Sequence, residues 1–136
     1  MIDDRNITVS SWYESTQWDR KSNQTGWRSI LGDNVCGPGV SPYAAPARAT
    51  NLSKLPNAYL DCGSTEVFRD EILDYAARLT QAGVPTEVHS WAGASHGFDS
   101  LNPGAEMSVT AMEVRTSYLK RALKQQVTPT PTYENL

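Results

Sequence analysis

The chain has 136 residues, of which 39% are hydrophobic and 20% are charged, and its formal net charge is −3. These values are typical of an ordinary soluble domain of modest size. The mild acidity and the lack of a Lys and Arg cluster argue against a nucleic-acid-binding protein. We find no apolar run long enough to predict a membrane span. Met1 is followed at once by Asp3, Asp4 and Arg5, which is not the start of a signal peptide, so the chain as given favours the cytoplasm.

Residues 1–56 contain few signals of regular structure. A short helix is predicted over 23–31, with Gly32 as its stop. Residues 33–50 are rich in Gly, Pro and Ala and are typical of an extended, turning connector. So long a stretch with little structure of its own indicates a layer that covers a sheet formed by other residues.

Residues 58–91 have the pattern of one strand–helix–strand unit. An apolar, β-favouring run over 58–62 predicts a strand that stops at Gly63, and the alternation over 86–91 predicts a second strand. Between them, apolar residues recur at three- and four-residue steps over 67–82, which predicts an amphipathic helix.

The ends of this predicted helix also carry recognisable signals. Ser64 or Thr65 can cap its start, and acidic residues fill its first turn. Gly83 and then Pro85 end it.

A strand–helix–strand crossover is parallel and nearly always right-handed, so both strands end at the same edge of the sheet. Glu66 follows the first predicted strand, and His96 follows the second. A carboxylate and an imidazole that meet at one edge form the acid–histidine half of a nucleophilic triad.

Each of these residues also has an ordinary structural interpretation. Glu66 can be an acidic residue favoured in the first turn of a helix, and Asp70 is then the substitute acid. His96 can be a loop histidine, whereas His89 lies within the second strand and is interpreted as structural. Only the combination of positions favours a catalytic interpretation.

The two cysteines do not suggest a disulfide framework or a metal centre. Cys36 and Cys62 form no CxxC pair, and Cys62 is most simply a small buried residue of the first strand. The two histidines and two cysteines include no pair with the spacing of zinc ligands, so we expect no metal.

A final helix is predicted from Asn102-Pro103 to about Gln126, with basic residues in its last turns. Residues 127–136 have no core-forming pattern and are predicted to be a flexible tail. The predicted organisation is therefore a partial domain over 1–126 and a tail.

The segments LPNAYLDCGSTEVFRDE and LTQAGVPTEVHSWAGASHGFD resemble the last third of the esterases related to hormone-sensitive lipase, the α/β-hydrolase fold-3 family. VSPYAAPARATNLSKLP and MIDDRN resemble stretches that precede it. The resemblance implies an α/β fold in which this chain forms the C-terminal part of the hydrolase sheet, with the final helix and a loop-rich N-terminal segment.

In that family the first acidic residue of D-x-x-R-D-E is the triad acid and the histidine of H-G-F is the general base. These positions are Glu66 and His96 in this chain, with Glu where Asp is commoner. The implied reaction is hydrolysis of a small-molecule carboxylic ester through an acyl-enzyme, without a metal or organic cofactor.

The family's serine lies in a G-x-S-x-G elbow and its oxyanion hole in an HGGG-type run, and both are expected before the region matched here. The segment Gly93-Ala94-Ser95-His96-Gly97 comes near this pattern, but we interpret its second glycine as one residue too close for an elbow. The chain is thus predicted to supply the acid and histidine, to lack the nucleophile and oxyanion hole, and to be inactive alone.

Two kinds of partner are expected, a complementary N-terminal hydrolase segment or a second copy of the chain. The alternative function is a non-catalytic interaction or oligomerisation module derived from a truncated hydrolase. Trp12, Trp18 and Trp27 can line an acyl pocket, as the family region before the penultimate strand covers the active site, or can simply anchor loops.

Overall fold

The computed structural model describes residues 3–5 and 18–125. The chain forms two compact units, with the boundary between Phe98 and Asp99. Trp12 and the predicted tail over 127–136 lie outside the described residues. The helices and strands are α1 (Arg20–Leu31), β1 (Ala58–Gly63), α2 (Arg69–Gln81), β2 (Thr86–Trp91), α3 (Phe98–Leu101) and α4 (Glu106–Gln125).

Helix α1 begins three residues earlier than predicted because Asp19 caps it. The Asp19 carboxylate accepts a 2.7 Å hydrogen bond from the Ser22 backbone N–H, and this satisfies a donor that the first turn leaves unpaired. The helix ends at Gly32, as predicted, where φ is 59°. Trp27 is 1% exposed and packs with Val40, so it anchors the connector to α1.

A buried ion pair joins the described N-terminal residues to the connector. Arg48 donates two 2.7 Å hydrogen bonds to the carboxylate of Asp4, which is fully buried. The Cys36 backbone N–H donates a third, at 2.8 Å. Burial alone would raise the pKa of Asp4, but these hydrogen bonds and the Arg48 charge outweigh it and lower the pKa.

The predicted strand–helix–strand unit is confirmed. Strands β1 and β2 pair in parallel, from Ala58 opposite Thr86 to Gly63 opposite Trp91. Leu79 on α2 packs with Leu60 on β1, in a core cluster that holds the helix against the sheet. Apolar residues that complete this cluster include Leu52, Val84, Tyr75, Ala58 and Ala82.

The predicted start of α2 is wrong. The helix begins at Arg69, and Phe68 occupies the N-cap position without a side-chain hydrogen bond. Ser64 and Thr65 do not cap the helix because their hydroxyl groups bond to the loop that follows β2. The first residues after β1 are therefore loop, and Glu66 lies in that loop.

The second unit contains helix α4, which begins at Glu106 and not at Asn102-Pro103. A turn replaces the predicted first helical turn, closed by a 3.1 Å hydrogen bond from the Ala105 N–H to the Asn102 carbonyl. Asp99 and Arg115 form an ion pair within this unit, and the hydrogen bond from Arg115 lowers the pKa of Asp99 despite its partial burial. None of the helices between residues 18 and 125 combines the length and the apolar character needed to cross a bilayer.

Candidate active site

The loops that follow β1 and β2 are fastened to each other by hydrogen bonds. The Thr65 N–H and hydroxyl both donate to the Ala94 carbonyl, at 3.0 and 2.7 Å. The Ser64 N–H donates to the Trp91 carbonyl at 2.8 Å, and the Ser64 hydroxyl oxygen accepts from the Gly93 N–H at 2.7 Å. The two loops therefore have a fixed separation at this edge of the sheet.

Gly63 is what allows the loops to come so close. A Cβ at this position would lie 2.2 Å from the Ala94 carbonyl oxygen. Backbone atoms cannot move aside as a flexible side chain can. The close approach therefore requires glycine at the end of β1.

The structure brings Glu66 and His96 into direct contact. An oxygen of the Glu66 carboxylate lies 2.6 Å from Nδ1 of His96. The Glu66 side chain is only 6% exposed, whereas the His96 side chain is 40% exposed. Because Nδ1 faces the carboxylate, Nε2 is the ring nitrogen left for proton exchange with a substrate or nucleophile.

Asp70, the substitute acid, is in a different position. Its side chain is 78% exposed and pairs with Arg69 at 2.7 Å. Arg69 also donates to the Ser64 carbonyl at 2.9 Å, which braces the loop that carries Glu66. Of the two carboxylates that the sequence left open, Glu66 is the one hydrogen-bonded to His96.

Two aromatic rings contact the imidazole of His96. The ring of Phe68 makes an edge-to-face contact with a centroid separation of 5.2 Å, and the ring of Trp18 lies at 6.1 Å. Trp18 and Phe68 are themselves 6.3 Å apart. The sequence predicts Phe68 only as part of the helical stripe, and it leaves Trp18 either as part of an acyl pocket or as a loop anchor, so neither contact with the imidazole follows from it.

His89 has other neighbours. Its Nε2 lies 3.1 Å from a carboxylate oxygen of Glu87, and its ring stacks on Trp91 at 5.7 Å. Both are residues of β2, and Tyr59 of β1 also contacts the ring. These contacts support the structural interpretation of this histidine.

Cys62 lies in β1 just before the loop that carries Glu66. Burial, followed by the negative charge of Glu66, raises the pKa of the Cys62 thiol to about 11. Cys62 is buried and Cys36 exposed, and both are free. Within residues 3–5 and 18–125, no three His, Cys, Asp or Glu side chains lie close enough together to hold a metal ion.

The family comparison decides the class of protein. Residues 3–100 match the family model described as alpha/beta hydrolase fold. The chain belongs to the α/β-hydrolase fold family. The loops that carry Glu66 and His96 lie inside the matched region.

The chain is similar to known esterases. It is 32% identical to esterase LipI from Mycobacterium tuberculosis, over 64% of this chain and 32% of that protein. A solved structure titled bacterial heroin esterase matches with 38% identity and a TM-score of 0.84, over 90% of this chain and 40% of that one. Esterase LipW from Mycobacterium marinum matches with 35% identity and a TM-score of 0.76, over 90% of this chain and 38% of that one. The resemblance to the hormone-sensitive-lipase-like esterases is confirmed, and this chain spans 40% or less of the length of these relatives.

One interpretation from the sequence needs a correction. The segment Gly93-Ala94-Ser95-His96-Gly97 does satisfy the G-x-S-x-G pattern. Its spacing therefore does not exclude a nucleophile elbow. The backbone around Ser95 is what distinguishes this loop from a nucleophile elbow. An elbow presents its serine on a strained turn between a strand and a helix, but among the described non-glycine residues only Cys36 and Lys54 have positive φ. The helix that follows Ser95, α3, has four residues.

Proposed function

We propose that this chain supplies the acid and the general base of a serine carboxylic-ester hydrolase. The observation that carries the proposal is the 2.6 Å contact between the Glu66 carboxylate and Nδ1 of His96. Nδ1 donates to a buried carboxylate while the ring stays partly open to solvent. This is the arrangement that a histidine needs in order to pass a proton at Nε2.

The first half of the reaction forms an acyl-enzyme. Nε2 of His96 takes the proton of a serine hydroxyl as the serine oxygen attacks the carbonyl carbon of the ester. The imidazolium that forms is stabilised by the Glu66 carboxylate, which also keeps the proton on Nδ1. The same proton then passes from Nε2 to the alkoxide as the C–O bond of the ester breaks, and the alcohol leaves.

The second half hydrolyses the acyl-enzyme. His96 takes a proton from water, the hydroxide oxygen attacks the acyl carbon, and the serine recovers its proton as the acid leaves. We assign the serine and the oxyanion donors to hydrolase sequence that the relatives possess beyond the region matched by this chain. The substrates are small carboxylic esters, and no metal or organic cofactor takes part.

A chimera tests the proposal. This chain would replace the matched 40% of the bacterial heroin esterase structure, whose remaining sequence would supply the missing parts. Hydrolysis of short p-nitrophenyl esters is expected, and His96→Ala should lower kcat at least about 10³-fold. A folded chimera that is equally active with and without His96 would refute the assigned base.

Ser95 supplies the control for the nucleophile. Because Ser95 is not the proposed nucleophile, Ser95→Ala should leave kcat of the chimera within about threefold. The chain by itself should give no more hydrolysis than its own His96→Ala variant. Turnover by the isolated chain that Ser95→Ala abolishes would instead identify Ser95 as the nucleophile.

The non-catalytic module remains the alternative. It predicts that the coding sequence upstream of Met1 contains no second G-x-S-x-G and that the chimera folds without hydrolysing esters. Reading that coding sequence is the cheapest observation that separates the two functions.

A further inference from the structure

The hydrogen bond that Nδ1 donates to Glu66 fixes only one point of the His96 ring. An imidazole held at Nδ1 alone can still swing about that bond and about its own side-chain torsions. Nε2, at the other side of the ring, would then have no fixed direction. Proton transfer depends strongly on that direction, since a displacement of about 1 Å at a reacting group can lower a rate about 10²-fold.

The two aromatic rings supply the missing constraints. His96, Phe68 and Trp18 are in mutual contact, with centroid separations of 5.2, 6.1 and 6.3 Å. All three separations fall within the range of favourable ring contacts, about 4.5–7 Å. Phe68 is 4% exposed and packs in a core cluster with Val67 and Ile72, so one side of the imidazole ring contacts a buried, closely packed partner.

Trp18 holds the ring from a separate part of the fold. It directly precedes Asp19, whose carboxylate caps α1 through the Ser22 N–H. The position of Trp18 is therefore set by the capped helix that follows it and by its packing against the Val67 and Phe68 cluster after β1. The imidazole is contacted by three residues from two segments of the chain: Glu66 and Phe68 after β1, and Trp18 before α1.

We infer that Trp18 is a positioning residue that sets the direction of Nε2 of His96. This inference rests on the proposed hydrolase function for its catalytic meaning. Trp18 acts through His96 and is not itself a catalytic residue. The ring contacts with His96 and Phe68 imply that an aromatic ring is required at this position.

Nuclear magnetic resonance of the chain as it stands tests the contact without requiring catalysis. The chain has two histidines, and the ring of His89 is contacted by Tyr59 and Trp91 instead. In Trp18→Ala the carbon-bound ring protons of His96 should lose the ring-current shift that the indole causes. The chemical shifts of the His89 ring protons should not change. Trp18→Phe should keep most of the shift. Unchanged His96 resonances in Trp18→Ala would overturn the inference.

Kinetics in the heroin esterase chimera tests the positioning role. Trp18→Ala should lower kcat about 10-fold or more with little change in KM, and Trp18→Phe should recover most of the loss. An unchanged kcat, or an equal loss in both variants, would overturn the inference. The His89 resonances show whether Trp18→Ala is folded. If the unmodified chimera hydrolyses no ester, the proposed function fails, and the His96 resonances alone then decide whether Trp18 orients the ring.

Discussion

Glu66 is a buried carboxylate that faces a partly exposed histidine. The sequence could predict that one of the acidic residues after β1 meets His96, because the ends of parallel strands share an edge. It could not choose between Glu66 and Asp70, since that choice depends on where α2 begins. With the helix starting at Arg69, Asp70 lies in its first turn and points its carboxylate into solvent.

Glu66→Gln should nearly abolish ester hydrolysis by the chimera while leaving the fold intact. A glutamine amide carries no charge to stabilise the imidazolium and does not hold the Nδ1–H tautomer, so kcat should fall about 10³–10⁴-fold. Asp70→Asn is the matched control, because the exposed Asp70 makes no contact with His96 and should change kcat by less than about threefold. Steady-state kinetics with a p-nitrophenyl ester measures both. Equal losses in the two variants would refute Glu66 as the acid.

Gly63→Ala should force the two loops apart. Its methyl group would overlap the Ala94 carbonyl at 2.2 Å, and such overpacking costs about 1–3 kcal/mol of the free energy of unfolding. Gly39→Ala serves as the control because nothing lies within 4 Å of a Cβ there. Urea unfolding curves of the two variants provide the comparison. If Gly63→Ala were as stable as Gly39→Ala, the loops would not be held as tightly as the hydrogen bonds indicate.

At the scale of the elements, residue patterns predicted which segments form helices and strands better than where the helices start. Strand β2 and the end of α1 agree with the prediction because alternation and a stopping glycine are local signals. The start of α4 differs from the prediction because a turn forms in place of the predicted first helical turn. The start of α2 differs because the polar side chains before it bond to another loop instead of capping the helix. Ser64 and Thr65 illustrate this, since either can cap a helix locally but both bond to the neighbouring loop.

Ser64→Ala combined with Thr65→Val should loosen the loop of His96 and leave α2 unaffected. Ser64→Ala removes the bond from the Gly93 N–H, and Thr65→Val removes the hydroxyl's bonds to the Gly93 and Ala94 carbonyls. Each such bond is worth about 0.5–1.5 kcal/mol. Amide hydrogen exchange should become faster over 93–97, with no change in the first turns of α2. Ser29→Ala, whose hydroxyl bonds only within α1 to the Thr25 carbonyl, is the control. Loss of protection at the start of α2 would restore the capping interpretation.

At the scale of the whole chain, the buried pair between Asp4 and Arg48 connects distant parts of the sequence. Nothing in the local pattern of either residue predicts it, because partners 44 positions apart are brought together by the tertiary fold alone. Removing one member leaves the other charge buried and unpaired, which typically costs about 3–5 kcal/mol.

Asp4→Asn should therefore destabilise the chain near neutral pH and much less in acid. The folded state lowers the pKa of Asp4, so the stability it contributes is present above the pKa of the unfolded chain and is lost as the pH falls through the folded pKa. Urea unfolding from pH 7 to about pH 2 should show a constant difference from the unmodified chain down to about pH 4 and a shrinking difference below it. Asp3→Asn is the control, since its pair with the half-exposed Arg5 should contribute at most about 1 kcal/mol. A pH-independent deficit would contradict this account.

The described sheet has two strands, and a sheet of that size is marginally stable in water. Exposed apolar side chains add to the surface that a partner could cover, and on α4 they include Val109, Met112, Leu119 and Leu123. We expect the isolated chain to self-associate or to bind a complementary hydrolase segment, as size-exclusion chromatography with light scattering would reveal. A stable, well-folded monomer would count against this expectation.

The carboxylate and the imidazole lie only thirty positions apart, within a single crossover whose loops fasten to each other. A gene rearrangement that joins new sequence upstream of β1 would therefore not separate them. The acid–histidine pair can therefore be inherited, or transferred to another parallel sheet, as one continuous segment of the chain. Trp18, which lies before α1 and outside this segment, would have to be supplied separately in each new protein.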